Sequence, residues 1–263
     1  MRTSVIIPYF DAQKTIERTL ESVYAQHRKA DEVLVVDDGS GREGAAHLAA
    51  LRERLGFSLV HRENGGTAAA RNTGVRETTG DLLAFLDADD IWDPGYLSAL
   101  LPRFSGDAVG MVFSRLEWIE EDDHLMGVAN KIIDEPSLER LLLGNFIGSG
   151  SNFIMRRECL EAIGGFREDI DGAEDYLAAI NLFLHERWTV VQVPSILVKY
   201  RRASHSKSRR SRKMLESLAE INRLMRKRLS FRQRAILRLG IARMVVALNS
   251  VRLRRLLATG RRR

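Results

Sequence analysis

The chain has 263 residues, 44% of them hydrophobic and 29% charged, which suits one large α/β domain with an appendage and excludes a disordered polyelectrolyte. A single cysteine, Cys159, excludes an intramolecular disulfide framework and a cysteine-based zinc cluster. The net charge of +6 hides a division, because residues 201–263 hold 21 Lys/Arg against only Glu216 and Glu220, giving +19, while residues 1–200 carry −13.

The first residues enter a strand-like run almost at once, without the apolar stretch of a signal peptide, so the expectation is a cytoplasmic protein. Short apolar runs at 5–7, 33–36, 57–60 and 82–86 are separated by segments of helical period. Ile16, Leu20 and Val23 follow i, i+4, i+7, and Leu48, Leu51 and Leu55 follow i, i+3, i+7. This alternation predicts a mostly parallel central sheet flanked by helices. Ligands of such sheets bind beyond the carboxyl ends of the strands. The four runs end in Pro8, in Asp37-Asp38-Gly39-Ser40, in residues 62–66 and in Asp87-Ala88-Asp89, which places all four endings on one rim.

Further along, Gly65, Gly66 and Thr67 read as the opening of a helix with Thr67 as its cap, and helical pattern resumes after Pro94. Runs at 110–113 and 152–155 read as strands, residues 120–123 as a solvated acidic turn, and residues 148–151 as a mobile loop. Trp118, Phe146 and Trp188 are read as core in preference to sugar-stacking platforms. Beyond 212, Leu215, Leu218, Ile221 and Met225 keep a helical period, as do apolar residues from Ile236 to Val251. Arg238 and Arg243 interrupt the second segment, so it lacks the ~20 apolar residues of a span. Three readings of this basic region stay open: docking on an anionic membrane, a helical cap on the domain, or a dimer surface that makes a homo-oligomer.

The chemistry concentrates at the strand ends. Carboxylates at 87 and 89 repel one another unless a cation lies between them, and oxygen-only ligation favours Mg²⁺ or Mn²⁺ over zinc. Asp38 is placed to accept from a nucleobase N–H, with a simple Asp-Gly turn as the plain alternative. Arg71 has a solvated-surface alternative. Glu174-Asp175 alone reads as an acidic first helical turn favoured by the macrodipole.

Taken together, Ser4-Val5-Ile6-Ile7-Pro8, Val35-Val36-Asp37-Asp38-Gly39-Ser40, Ala69-Ala70-Arg71-Asn72-Thr73-Gly74 and Phe85-Leu86-Asp87-Ala88-Asp89-Asp90-Ile91-Trp92 resemble, in order and spacing, the family 2 glycosyltransferases of GT-A (Rossmann-like) fold. Gly164-Gly165-Phe166-Arg167-Glu168 and Glu174-Asp175-Tyr176-Leu177 resemble the family's acceptor-side motifs. The resemblance covers roughly residues 3–208. It implies a transferase domain over 1–208, with a nucleotide-sugar-binding half at 1–104 and an acceptor-side half at 105–208, followed by a basic helical region at 209–263.

By the same resemblance Pro8, Tyr9, Asp38, Arg71 and Asp87 would bind a nucleotide-diphosphate sugar, a UDP-sugar foremost. Asp89 would hold Mn²⁺ or Mg²⁺ on its diphosphate, Asp175 would be the catalytic base and Glu174 its partner. The implied reaction is an inverting transfer to a glycan or lipid-linked acceptor in cell-envelope polysaccharide synthesis, at the inner face of the cell membrane. The chain departs from the family at Phe10-Asp11, where Tyr-Asn is usual, and at Gly41-Arg42, where Thr-Asp is usual. Ala203 stands where many relatives carry histidine, so His205 or Ser208 would approach the diphosphate or metal only with an offset, and an exposed histidine is the plain reading of His205. Two alternatives remain: an inactive nucleotide-binding relative, and a nucleic-acid-binding protein acting through its tail. The second is opposed by the acidic first 200 residues and by Phe231 being the tail's single aromatic.

Overall fold

The computed structural model describes residues 1–170, 172–202 and 207–259, with side chains throughout except at 207–211 and 248–259. In chain order its elements are β1 (Thr3–Tyr9), α1 (Ile16–Tyr24), β2 (Glu32–Asp37), α2 (Arg42–Leu55), β3 (Ser58–His61), α3 (Thr67–Arg76), β4 (Leu82–Phe85), β5 (Ile91–Trp92) and α4 (Tyr96–Leu100). There follow β6 (Val109–Ile119), β7 (Leu125–Val128), α5 (Leu138–Leu143), β8 (Phe153–Arg156), α6 (Arg157–Ala162), α7 (Glu174–Leu184), β9 (Thr189–Arg201), α8 (Lys207–Met225) and α9 (Phe231–Thr259).

One sheet runs in the order β3-β2-β1-β4-β8-β6-β9-β5, with β7 paired to β6. Side chains two apart point to the same face of a strand, and the core divides on that rule. Val5, Ile7, Ala84 and Val112 face α1, α2 and α4, whereas Ile6, Leu83, Phe85, Met111 and Phe113 face the side of α5 to α9. Both faces are therefore covered, which is why β1 and β4 read as unbroken apolar runs.

The parallel alternation holds for β3, β2, β1 and β4 and then stops. Strand β8 is antiparallel to both β4 and β6, and β5 and β7 also pair antiparallel, while β6 and β9 are parallel. An apolar run marks a buried strand without marking its direction, which is set by the connections that follow. Helix α3 begins at Thr67, with Gly66 at φ +88° before it, so Thr67 is its first residue and makes no side-chain cap. Small residues let it lie close to β1: a Cβ on Gly74 would fall 2.3 Å from Ile6 Cγ2.

Of residues 148–151, expected as a mobile loop, Gly148 is exposed but 149–151 are packed inside. A 3-10 turn spans Gly150–Asn152, and Ser151 and Asn152 are fully buried, because their polar atoms meet Asp90, Ser114 and Ile147. The acidic turn at 120–123 is fastened from within by Arg201, whose guanidinium donates to the Glu120 and Glu121 carbonyls and to Asp123. Phe146 and Trp188 are core residues, and Trp118 is half-buried beneath Arg202. Leu218, Ile221 and Met225 of α8 and Leu237 of α9 belong to the same apolar cluster as Phe113 and Leu177. None of the described helices is long and apolar enough to cross a membrane.

Candidate active site

The carboxyl ends of β4 and the start of α7 meet at a buried arginine. Arg71, on α3, is 1% exposed and lies against Gly150, where an added Cβ would fall 2.3 Å from Nη2. Its Nη2 donates to Asp87 Oδ1 at 2.5 Å and its Nη1 to Glu174 Oε1 at 2.7 Å. The Phe166 ring lies under the guanidinium, 5.6 Å from Cζ. Burial opposes the charge of Arg71, but Asp87, then Glu174 and Asp175, outweigh it and raise its pKa above the ordinary guanidinium value. A solvated Arg71 is thereby excluded.

The other Glu174 oxygen accepts from the Gly172 N–H at 2.9 Å. Asp175 is half-buried, and its Oδ1 accepts from the Tyr176 N–H at 2.6 Å. Burial first, then the adjacent Glu174, push Asp175 from the ordinary aspartate value of 3.8 to about 7, with Arg71 opposing them. A carboxyl group with that pKa is poised to exchange a proton near neutrality.

Asp87 and Asp89 share the cavity of about 250 Å³ that these groups border. The Asp87 N–H donates to Ser151 Oγ at 2.9 Å, and the Asp89 carbonyl accepts from Arg201 Nε at 2.8 Å. Asp90 turns inward instead. It accepts from Ser151 Oγ at 2.6 Å and from the Arg201 N–H at 2.8 Å, and is fully buried. Burial, then Asp89 and Asp87, push its pKa well above the usual carboxylate range. Arg201 thus holds the turn after β4 from behind, through Asp90 on one side and the Asp89 backbone on the other.

Of the residues expected at the site, Arg71, Asp87, Asp89, Glu174 and Asp175 are brought to this one cavity. Pro8 and Asp38 stand apart from it, at the ends of β1 and β2. Asp38 Oδ1 accepts from the Gly65 N–H at 3.0 Å and Oδ2 from the Gly66 N–H at 2.7 Å, so this carboxylate holds the glycine loop that leads into α3. Asp37 is buried against the Ser40 N–H and His61. Tyr9 points into the core, where its hydroxyl donates to the Gly44 carbonyl at 3.1 Å; burial, then Asp11 and Asp37, push it up to about 12. His205 lies outside the described residues, and so does the side chain of Ser208.

Sequence reading passed over the far wall. Tyr200 at the end of β9, Lys213, Met214 and Leu218 on α8, and Met244 on α9 complete the cavity. The helical period of Leu218 marked a buried face without saying what it faced, and nothing in the local sequence tied Lys213 to an acidic cavity.

The family model described as glycosyl transferase family 2 matches residues 4–164. The chain belongs to glycosyl transferase family 2. Among relatives, the succinoglycan biosynthesis protein ExoW of Rhizobium meliloti is 41% identical over 101 residues, which is 36% of this chain and 32% of ExoW. Staphylococcus aureus TarS 1-349 in complex with UDP-GlcNAc superposes with a TM-score of 0.68 at 20% identity, covering 90% of this chain and 70% of that one. The mannosyltransferase PcManGT from Pyrobaculum calidifontis, in complex with GDP-Man and Mn²⁺, superposes with a TM-score of 0.63 at 22% identity, covering 98% of this chain and 79% of that one. These two share the fold of this family 2 chain, a mixed α/β sheet flanked by helices. The chain spans about half the length of one relative, the Nostoc glycosyltransferase alr2836 (53%), and about a third of ExoW (32%).

Proposed function

We propose that this family 2 chain transfers a sugar from a nucleotide-diphosphate donor to a hydroxyl of a glycan or lipid-linked acceptor, with inversion at the anomeric carbon. The observation that carries the reading is a buried arginine, Arg71, that ties Asp87, at the end of β4, to Glu174, beside a carboxyl group poised near neutrality. A UDP-sugar is the donor we favour, by analogy with the ligand of TarS, and polysaccharide synthesis is the setting that ExoW suggests. A lipid-linked acceptor would put the enzyme at the inner face of a membrane.

In this reading the Asp175 carboxylate takes the proton of the acceptor hydroxyl as that oxygen attacks the anomeric carbon. The bond from that carbon to the diphosphate oxygen breaks on the opposite face, and the nucleoside diphosphate leaves with the electron pair. Glu174 keeps Arg71 in place and, by its charge, keeps Asp175 basic. Pro8 and Asp38 frame the nucleotide end, Asp38 through the loop it holds, while Tyr9 buttresses that rim from inside.

A divalent cation suits the donor set. Asp87 and Asp89 bring two carboxylates to the cavity. This fits Mg²⁺ or Mn²⁺, which binds one or two carboxylates and takes its remaining ligands from water and substrate phosphate. By the family resemblance Asp89 would be the principal ligand, while Asp87 holds Arg71. When bound, such an ion neutralises charge on the departing diphosphate.

A thermal-shift screen of nucleoside-diphosphate sugars, with and without Mn²⁺, tests the reading on the wild type and Asp89→Ala. A donor at a hundred times its dissociation constant stabilises the protein by about 2.7 kcal/mol. Failure of every donor, or a Mn²⁺-dependent shift that persists in Asp89→Ala, refutes it. Turnover of the stabilising donor separates an active enzyme from an inactive relative.

A further inference from the structure

Helix α9 carries two apolar faces. The inner one is used: Leu237 and Gly240 are buried, Ile236, Ile241 and Met244 pack on the core, and a Cβ on Gly240 would fall 2.0 Å from the Leu142 carbonyl oxygen of α5. The outer face is not buried by anything in the described structure. At 100° per residue, Phe231, Ala235, Leu239, Ala242 and Val246 fall within an arc of about 80° roughly opposite Leu237 and Gly240. All five are exposed, with Phe231 81%, Leu239 56% and Val246 66% accessible. Arg238 borders this stripe on one side, and Arg232 and Arg243 on the other, all three exposed.

An apolar stripe between arginines has the composition of a helix that lies in a membrane interface, its aliphatic and aromatic side chains among acyl chains and its guanidinium groups at the headgroups. Charge selects the kind of surface. Residues 226–263 contain 13 Lys/Arg and no acid. Beside the stripe, Arg226, Arg234 and Arg238 gather around Phe231 and Ala235 in a groove of about 270 Å³, with Arg234 Nη1 donating to the Arg226 carbonyl at 2.7 Å. Three guanidinium groups at an apolar edge suit a phosphate headgroup. A second copy of this chain would set arginines against arginines across a two-fold axis, which the charge disfavours.

We infer that the outer face of α9, built on Phe231, Leu239 and Val246 and flanked by Arg232, Arg238 and Arg243, docks the protein on an anionic lipid bilayer. The helix lies on the surface and does not cross it. Its inner face contributes Met244 to the wall of the candidate active site, so docking brings that cavity close to the bilayer, where a lipid-linked acceptor resides. The inference rests on the peripheral, membrane-side reading above and is independent of the transfer chemistry.

Co-sedimentation of the 263-residue chain with phosphatidylcholine vesicles, with and without phosphatidylglycerol, tests it. The wild type is expected to sediment with the phosphatidylglycerol vesicles, less so as salt rises, and to stay in solution with phosphatidylcholine alone. Each lost arginine weakens binding about fivefold, so Arg232→Gln, Arg238→Gln and Arg243→Gln together cost about a hundredfold. Phe231→Ser, Leu239→Ser and Val246→Ser together abolish sedimentation. Both triple variants keep the wild-type melting temperature, because the altered side chains are exposed, and keep the wild-type thermal shift with donor. Those controls separate failure of the docking face from failure of the transferase reading. Equal sedimentation of the wild type and the serine variant overturns the inference. Equal binding to both vesicle types also does so, as does a wild-type dimer that the serine variant turns into a monomer with vesicle binding unchanged.

Discussion

Replacing Asp175 by asparagine isolates the energetic consequence of placing a carboxyl group beside Glu174 in a partly buried site. The amide is close to isosteric and keeps an oxygen to accept from the Tyr176 N–H, so the principal change is the loss of a titrating group. In the folded protein Asp175 holds its proton up to about 7, against 3.8 for an ordinary aspartate. Because the folded-state value is the higher one, the folded state binds more protons than the unfolded state between those two values. Stability from the protonated form is therefore complete below the lower value and lost as pH rises through the upper one.

The whole window corresponds to on the order of 4 kcal/mol, at about 1.4 kcal/mol per pH unit, and the portion between about pH 5 and about pH 8 to roughly 3 kcal/mol. Asparagine has no such dependence. Urea unfolding across that range should show the advantage of Asp175→Asn over wild type growing by about 3 kcal/mol as pH rises, while transfer activity is lost. Parallel stability curves for the two proteins would refute the placement of a reluctant carboxylate at this position.

Arg71→Met leaves Asp87 and Glu174 without their buried cation and should lower unfolding free energy by about 3–5 kcal/mol at neutral pH, measured in urea. An unchanged midpoint would mean that the bridge contributes nothing. Asp38→Ala strands the Gly65 and Gly66 N–H groups at a cost of about 1–3 kcal/mol and should weaken donor binding in calorimetry. Gly240→Ala forces a methyl group against the Leu142 carbonyl, so α9 must shift away from α5 with a loss of about 1–3 kcal/mol. Hydrogen exchange should then quicken in α9 before the sheet.

The first half of this protein was legible because its information is local. Apolar runs of strand length, intervening helical period and polar strand ends dictate β1 to β4 and put Asp38, Asp87 and Asp89 on one side of the sheet, since parallel strands share a carboxyl edge. The two-residue alternation that sends Val5 and Ile7 to one face and Ile6 to the other needs no tertiary knowledge. Strand directions beyond β4 did require it, because antiparallel β8 reads like any other buried run.

The site itself was decided in three dimensions. Arg71 and Glu174 are 103 residues apart, and no periodicity joins them. Once both are desolvated at the end of β4, electrostatics makes each indispensable to the other. Asp90 shows the converse: three neighbouring acids look equivalent in sequence, yet the turn after β4 sends Asp90 into Ser151 and Arg201 and leaves Asp87 and Asp89 at the cavity. Helix α9 is the last case, since its apolar residues form two opposed faces. Only packing against α5 and α8 determines which face is core, and so which remains to meet something else.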